Sequence, residues 1–434
     1  MKTRPLALSC FLALVFIASG AISIAAQACP GAAGCLDPTF GAGGTTQTYI
    51  PAVKPLTPGK IAKQSDGKVV QLILVLPGDS FSNAIVRYNS DGSLDTSFGN
   101  GGIATLNWSS PGNSAHAFAI AIQMVGTEER IVVAGTGTGF TSSLRVDRFL
   151  PDGSTDTSFG SGGTVSITSG AAEDIVIQPD GKIVTMGTTG ALVRLNVNGT
   201  LDTTFGSGGF IQNNTWHIWS AALQSDGKII GAGYWTDVKG RAFGSAWRFN
   251  KNGSLDDGTK NDSTKGDSFG KGGQALIDTF NAAWDVKIDA SGRAVIGAST
   301  GSGNTDFAVA RLTTSGQLDS TFGVGGKTTV DFNGMGDQVR SVVLQANGKI
   351  ILIGFTNNAN GSDAGFVRLN SNGTLDSSFG QGGKAVSDLS SEGQSNYFGL
   401  IQLDPICGCE KLITPGTLIS GGIYYAVVAR YLLL

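Results

Sequence analysis

The chain has 434 residues, with Gly at 65 positions and charged residues at only 15%, against a usual charged share of about 25%. Its 41% hydrophobic content is ample for a buried core and excludes a wholly disordered chain. Lys plus Arg number 30 against 33 for Asp plus Glu, a net charge of −3; no basic run follows a phosphate backbone, so no nucleic acid is expected as a partner.

The N-terminus reads as an export signal. Lys2 and Arg4 precede an almost entirely apolar stretch from Leu6 to Ala25, and Ala26-Gln27-Ala28 fits the small-x-small cleavage rule. Residues 1–28 are therefore assigned to a signal peptide and 29–434 to one domain, secreted to the periplasm, the cell surface or the extracellular space. Cleavage would leave Cys29 first, as in lipid-anchored proteins, but Ala26 and Gln27 fit that motif poorly and lipid anchoring is the weaker reading. No later segment approaches the roughly 18 apolar residues of a membrane helix, so no membrane span is expected. Export makes Cys29, Cys35, Cys407 and Cys409 disulfide candidates, with all three pairings open. A metal at Cys407 and Cys409 is disfavoured because the two histidines, His116 and His217, are far away in sequence.

Self-comparison dominates the rest of the chain. The motif Leu-Asp-x-Ser/Thr-Phe-Gly-x-Gly-Gly occurs at Leu36 to Gly44, Leu94 to Gly102, Leu201 to Gly209, Leu318 to Gly326 and Leu375 to Gly383. Thr155 to Gly163 carries Thr in the first slot, and a stretched copy runs from Leu255 to Gly273. After each Gly-Gly come a short alternating run, a variable loop and an apolar run ending in Gln. A turn follows, as at Gln64 to Lys68, Gln178 to Lys182, Gln224 to Lys228 and Gln345 to Lys349. Asp-Gly or Asn-Gly between apolar runs predicts a hairpin with a type I′ turn. A continuously apolar run such as Ile350 to Gly354 suits a strand covered on both faces. A second variable loop leads to an Arg-bearing strand such as Phe307 to Leu312. Four strands and about 55 residues per unit match a blade of an all-β propeller. Counted from each Gly-Gly to the next Arg-bearing strand, seven blades result. The last ends at Leu434 without its own motif, and Leu36 to Gly44 is expected to complete it, closing the ring by overlap of the termini and leaving no open edge.

These residues resemble the delta-60 repeat family, bacterial exported repeat proteins with the same Leu-Asp-x-x-Phe-Gly and Asp-Gly-Lys grammar, from about residue 36 to 431. The resemblance implies a β-propeller-like repeat protein and carries over no catalytic residues. The chain departs from the pattern at Met124 to Glu129, at Asp404 to Cys409 and in an insertion from Asp257 to Gly266.

Candidate residues fall in three groups. Arg87, Arg148, Arg194, Arg248, Arg311, Arg368 and Arg430 hold the same strand position, and Asp37, Asp95, Asp156, Asp202, Asp256, Asp319 and Asp376 hold the same motif position. A ring of arginines holding an anion is one reading. The favoured one is structural, each guanidinium pairing with a motif aspartate, because an Arg between apolar strand residues needs a charged partner. Asn89 to Asp95 has the alternating oxygens of a calcium loop, but equivalent loops offer one carboxylate and read as turns; no metal and no cofactor are expected. The aromatics Trp216, His217, Trp219, Tyr234, Trp235 and Trp284 lie at the end of the ring where loops vary, and counting back five from the Gln slot aligns Trp219 and Trp284 with Phe118 and Tyr397. They suit stacking on sugar rings or partner anchors, which requires Trp216 and Trp235 to be exposed and adjacent. The alternative is that they plug gaps between blades. No Gly-x-Ser-x-Gly stretch joins a strand to a helix as a nucleophile elbow does: Gly266 to Gly270 belongs to a repeat motif and Gly297 to Gly301 to an apolar run; no His-Glu-x-x-His or Walker loop is present. The favoured function is thus a non-catalytic, monomeric binding or adhesion scaffold for an extracellular carbohydrate or protein. The alternatives are a carbohydrate-active or other extracellular enzyme with its site at the propeller mouth, and a structural envelope protein.

Overall fold

The structure, a computed structural model, describes residues 32–434 except 51–53, 77–81, 107, 109–114, 138–142, 169, 189, 260, 265, 301–303, 359–360, 389–393, 397, 405–406 and 421–422. The signal-peptide assignment and Cys29 lie outside these residues. Seven antiparallel sheets follow one another along the chain. Blade 1 runs from the innermost strand Lys54–Lys63 through Val69–Leu76 and Ser82–Tyr88 to the outermost strand Ile103–Leu106. The innermost strands of blades 2 to 6 are His116–Val125, Asp174–Ile177, Trp216–Leu223, Phe280–Ile288 and Asp337–Leu344. Each packs against the innermost strand of the next, and blade 7 packs back on blade 1, so the sheets form a ring around a central channel. This is a seven-bladed β-propeller.

The termini close it. In blade 7 the strand Ile423–Leu432 lies between Glu410–Ser420 and the N-terminal strand Thr45–Tyr49, paired from Thr45 with Ala429 to Tyr49 with Tyr425. Leu36 bridges to Tyr431 just before this strand. The overlap therefore includes residues 45–49 as well as the motif copy at 36–44, and the N-terminus supplies the outermost strand of the last blade.

Two sequence expectations are corrected. The short run after each Gly-Gly does not begin a blade. It pairs with the Arg-bearing strand before it, as Ile103–Leu106 does with Ser82–Tyr88, and is the outermost strand of that blade. The reason is that the motif itself is a tight turn: Phe98 accepts at its carbonyl from Gly102 N–H at 2.8 Å and folds the chain straight back. The count of seven stands, with the unit shifted by one strand. The Asp-Gly hairpins also differ. Their loop holds three residues, with Gln64 N–H donating to Lys68 O, Gly67 N–H to Gln64 O, and Gly67 at φ 85°. That is a type I turn closed by a glycine bulge, which tolerates Ser65 and Asp66 without positive φ at both centres.

The core lies between blades. Each cluster joins the inner strands of adjacent sheets, such as Ile230, Ala246, Phe280, Val286, Ile296 and Ala310 across blades 4 and 5. The continuously apolar second strands are buried on both faces for this reason.

Candidate functional site

Topology sorts the ring into two ends. The innermost strand ends at the Asp-Gly turn, and the third strand, running the same way, ends at the Phe-Gly motif; the other end carries the loops between second and third strands and the crossovers between blades.

The first end is built seven times over. Arg311 Nε donates to Asp319 Oδ2 at 2.8 Å, its guanidinium lies 4.6 Å from the centre of the Phe322 ring, and its Nη1 donates to the Ser371 carbonyl in the next blade. The same Nε contact joins Arg87 to Asp95, Arg148 to Asp156, Arg194 to Asp202, Arg248 to Asp256, Arg368 to Asp376 and Arg430 to Asp37. All seven arginines are buried. Each aspartate also receives a second cation from the Asp-Gly turn: Lys68, Arg130, Lys182, Lys228, Arg293, Lys349 or Lys411. The free face of each Phe is covered by the next blade's turn glycine. A Cβ on Gly153 would fall 2.8 Å from the Phe98 ring, so that position admits no side chain. A backbone bond from each motif glycine to the next blade completes the ring, ending with Gly380 N–H to Ala33 O at 2.9 Å.

Six of the aspartates are held below the ordinary carboxylate value. At Asp95 burial pushes up, but hydrogen bonds from Ser97 and Lys68 and the Arg87 charge outweigh it, leaving about 2. Asp256 is the exception and is raised: burial wins although Lys228 and Arg248 oppose it. The insertion explains this. The other motifs place Ser or Thr two residues on, donating to Oδ1, as Thr321 does to Asp319 at 2.6 Å. Asp257 begins the insertion instead, and Asp256 Oδ1 has no partner among the described residues. The two rebuilt hairpins are compensated differently. Glu129 accepts from Ser65 N–H at 2.7 Å and Gln64 Nε2 at 3.1 Å of the previous blade, and Glu410 accepts from Ala346 N–H and Gln345 Nε2, both at 2.8 Å. Cys407 and Cys409 form a disulfide in the second of these turns, and Cys35 is disulfide-bonded as well.

The other end opens into a cavity of about 370 Å³ on the channel axis. Lys60, Phe118, Glu173, Trp219, Trp284, Arg340 and Phe398 line it, one from the innermost part of each blade. In blades 2, 4, 5 and 6 the lining residue sits in a β-bulge, where register shifts around Phe118, Trp219, Trp284 and Arg340. A bulge re-aims one side chain without ending the strand, which is how flat inner strands present large groups to the axis. Trp219 and Trp284 stack at 4.2 Å with ring planes 8° apart, and the Arg340 guanidinium lies 4.2 Å from the Trp284 centroid. Tyr234 joins Trp219 at 5.0 Å and stacks on His217 at 4.2 Å. The result is one continuous series from His217 to Arg340 across blades 4, 5 and 6.

Below the aromatic layer the charges are committed to architecture. Asp285 accepts from Ser220 and Lys287 at 2.7 and 2.6 Å and from Ser341 Oγ and Val342 N–H at 3.0 and 2.8 Å, tying three blades together. Lys60 Nζ reaches Asp174 at 2.6 Å and the Glu173 carbonyl at 3.0 Å. Glu173 itself is pushed up to about 7 by burial, with Lys60 opposing and Asp174 adding to the shift. The cavity thus combines half-buried aromatic faces, two cations and a carboxyl poised near neutrality.

Comparisons with known proteins agree with this geometry. Residues 64–98, 130–159, 178–205, 224–258, 290–322 and 345–379 match a family model described as a domain of unknown function (DUF5122) beta-propeller. The chain is a β-propeller repeat protein. Solved structures similar to this propeller include an ulvan lyase from a new family of polysaccharide lyases, bound to -[GlcA(1-4)Rha3S]-. It is 12% identical with a TM-score of 0.51, over 89% of this chain and 96% of that one. A protein of unknown function from Dyadobacter fermentans DSM 18053 is 12% identical with a TM-score of 0.48, over 90% and 98%. No curated protein matches.

Of the six aromatics singled out in the sequence, the propeller brings four together: His217, Trp219, Tyr234 and Trp284. Trp216 and Trp235 are cross-strand partners, but neither is exposed. Both are half-buried against the cluster holding Trp247 and Phe249, with Trp216 5.3 Å from Phe249, and they pack between blades. Tyr397 lies outside the described residues. Sequence reasoning passed over Glu173, Arg340 and Lys60. The signal for the first two was available, because the count of five back from Gln178 and Gln345 gives Glu173 and Arg340; only the aromatic occupants of that slot were weighed.

Proposed function

We propose that the chain is an exported, non-catalytic binding module that holds an acidic saccharide at the mouth of its central channel. The observation that carries this reading is the Trp219–Trp284 stack bearing Arg340 in a cavity to which all seven blades contribute. The edges of the stacked indoles offer apolar surface to a sugar ring, while Arg340 supplies the charge a carboxylate or sulfate needs. The ulvan lyase described above, similar in fold to this chain, is bound to -[GlcA(1-4)Rha3S]-, an acidic saccharide, which supports this reading of the fold as a frame for such a ligand.

A second reading is favoured by Glu173. A carboxyl titrating near 7 is matched to general acid–base work, which would suit a carbohydrate-active enzyme. Among the described residues a hydrolase with paired carboxylates finds no second partner, because Asp285 and Asp174 are both engaged in ion pairs and blade-to-blade hydrogen bonds. Calorimetric titration with uronate-bearing and neutral oligosaccharides, alongside an assay for chain cleavage, separates the readings. Saturable binding of the acidic sugar without turnover is expected; turnover abolished by Glu173→Gln would establish the enzyme instead.

A further inference from the structure

At the variable end, between blades 5 and 6, three carboxylates meet. Asp306 precedes the third strand of blade 5, Phe307–Leu312. Asp331 and Asp337 bracket the crossover to blade 6, Asp331-Phe-Asn-Gly-Met-Gly-Asp337. One oxygen from each lies within 4.8 Å of the other two. No ion pair reaches any of the three among the described residues.

Asp337 is fully buried at 0% exposure. Its Oδ2 accepts from Phe332 N–H at 2.9 Å, while Oδ1 has no hydrogen-bond partner among the described residues. The Thr356 hydroxyl on the facing strand is close enough to favour the charged form, but no hydrogen bond of ordinary geometry joins it to Asp337 among the described residues. A buried carboxylate oxygen left this way is costly, and two further carboxylates beside it add repulsion.

The loops are fixed by other atoms. Asp331 Oδ1 accepts from Gly334 N–H at 2.7 Å, and Asn333 Oδ1 from Met335 N–H at 3.1 Å. Asn304 Nδ2 donates to the Gly334 carbonyl at 2.9 Å, and Asn333 Nδ2 to the Asn357 carbonyl at 2.8 Å. Asp331 Oδ2, Asp337 Oδ1 and the Asp306 carboxylate take no part in this scaffold, so each of the three converging carboxylates keeps an oxygen free of it.

We propose that Asp306, Asp331 and Asp337 form a calcium site that locks the crossover between blades 5 and 6. Calcium–oxygen bonds of about 2.3–2.6 Å let two ligand oxygens stand up to about 5 Å apart, whereas magnesium at about 2.0–2.1 Å requires tighter convergence and near-octahedral order. Three carboxylates offset the ion's charge, and water with loop carbonyls completes its six to eight ligands. Asn89 to Asp95, which has a similar spacing of oxygens, is excluded by its contacts: Asp95 is taken by Arg87 and Lys68, and Asp91 by Ser93. Asp337 begins the strand whose fourth residue, Arg340, lies on Trp284, so calcium would brace one wall of the channel mouth. The site does not depend on what that mouth binds.

The test uses purified protein stripped with EDTA and titrated with calcium chloride by calorimetry, with melting temperatures read in calcium and in EDTA. One calcium per chain is expected, with a higher Tm in calcium. Asp306→Asn, which removes a partly exposed carboxylate, should weaken calcium binding at least tenfold. In EDTA this variant should melt at or above the parent, because a repelling charge is gone; in calcium the order should reverse. Asp337→Asn should repeat that reversal if it folds. Identical parent melting in calcium and EDTA, parent-like calcium binding by Asp306→Asn, or an equal response to magnesium would overturn the assignment.

Discussion

The two ends of the ring solve opposite problems with the same strands. At the Phe-Gly end, Arg311, Asp319, Phe322 and Arg293 make the same contacts as their counterparts around the ring, with Lys in the place of Arg293 in most blades. At the channel mouth the equivalent slot holds Gly59, Phe118, Glu173, Trp219, Trp284 and Arg340 in blades 1 to 6. A group buried in every blade cannot distinguish one ligand from another, and it fixes the spacing of the blades. A slot that holds five residue types in six blades adds little to the frame and composes one asymmetric surface. Stability and recognition are therefore expected to separate by end, and each prediction below tests that division.

The largest effect should come from opening the ring. Deleting residues 32–49 removes Asp37 from Arg430 and the outermost strand from blade 7. An exposed strand edge invites pairing with other chains. Loss of the cooperative melt with aggregation on size exclusion is expected; an unchanged Tm and elution volume would show that the overlap is dispensable.

Next comes a single clamp. Arg311→Met leaves Asp319 buried beside Arg293 alone and should cost about 3–5 kcal/mol, the loss typical when one partner of a buried pair is removed. Denaturant unfolding measures it, and a cost under about 1 kcal/mol would break the structural reading of this end.

Acid should act on the same end. Asp95 and Asp319 are held near 2, below their unfolded values, so they stabilise the fold above pH about 4, and that contribution is lost as pH falls toward 2. Asp256 has the opposite sign: its raised value favours the neutral form, so relative stability is greatest at low pH and declines as pH rises through its folded value. Asp256→Asn should accordingly be milder than Asp319→Asn at neutral pH, as read by Tm across pH 2–8.

Smaller still is the effect of the mouth on stability. Trp284→Ala should remove about 1 kcal/mol of ring-stacking energy while lowering saccharide affinity at least tenfold. Glu173 sharpens the contrast: with its carboxyl near 7, an acidic ligand should bind more tightly as pH drops below that value and the competing charge disappears. Glu173→Gln should flatten this dependence.

Much of the frame was legible because it is repeated. Seven copies of the Phe-Gly motif disclosed the blades, and the Arg and Asp positions could be paired by register alone. The phase of the repeat was not legible: a strand between a Gly-Gly and a variable loop can pair on either side, and only the tight turn from Phe98 to Gly102 settles it. The mouth was half legible for a different reason. Aromatic types drew attention to Trp219 and Trp284, but also to Trp216 and Trp235, whose neighbours Trp247 and Phe249 claim them for packing. Glu173 and Arg340 carry no aromatic signature and become visible only when the bulge slot is followed through every blade. The carboxylates Asp306, Asp331 and Asp337 belong to no motif, because the loops that unite them vary from blade to blade.

The division between the ends is tested most directly by titrating wild-type protein, Trp219→Ala/Trp284→Ala and Arg293→Met with one uronate-bearing oligosaccharide and recording the Tm of each. The tryptophan pair should lose binding by at least tenfold with only a small fall in Tm, and Arg293→Met should lower Tm while leaving affinity unchanged. Parent-like affinity in the tryptophan variant, or a loss of binding shared equally by both, would contradict the account.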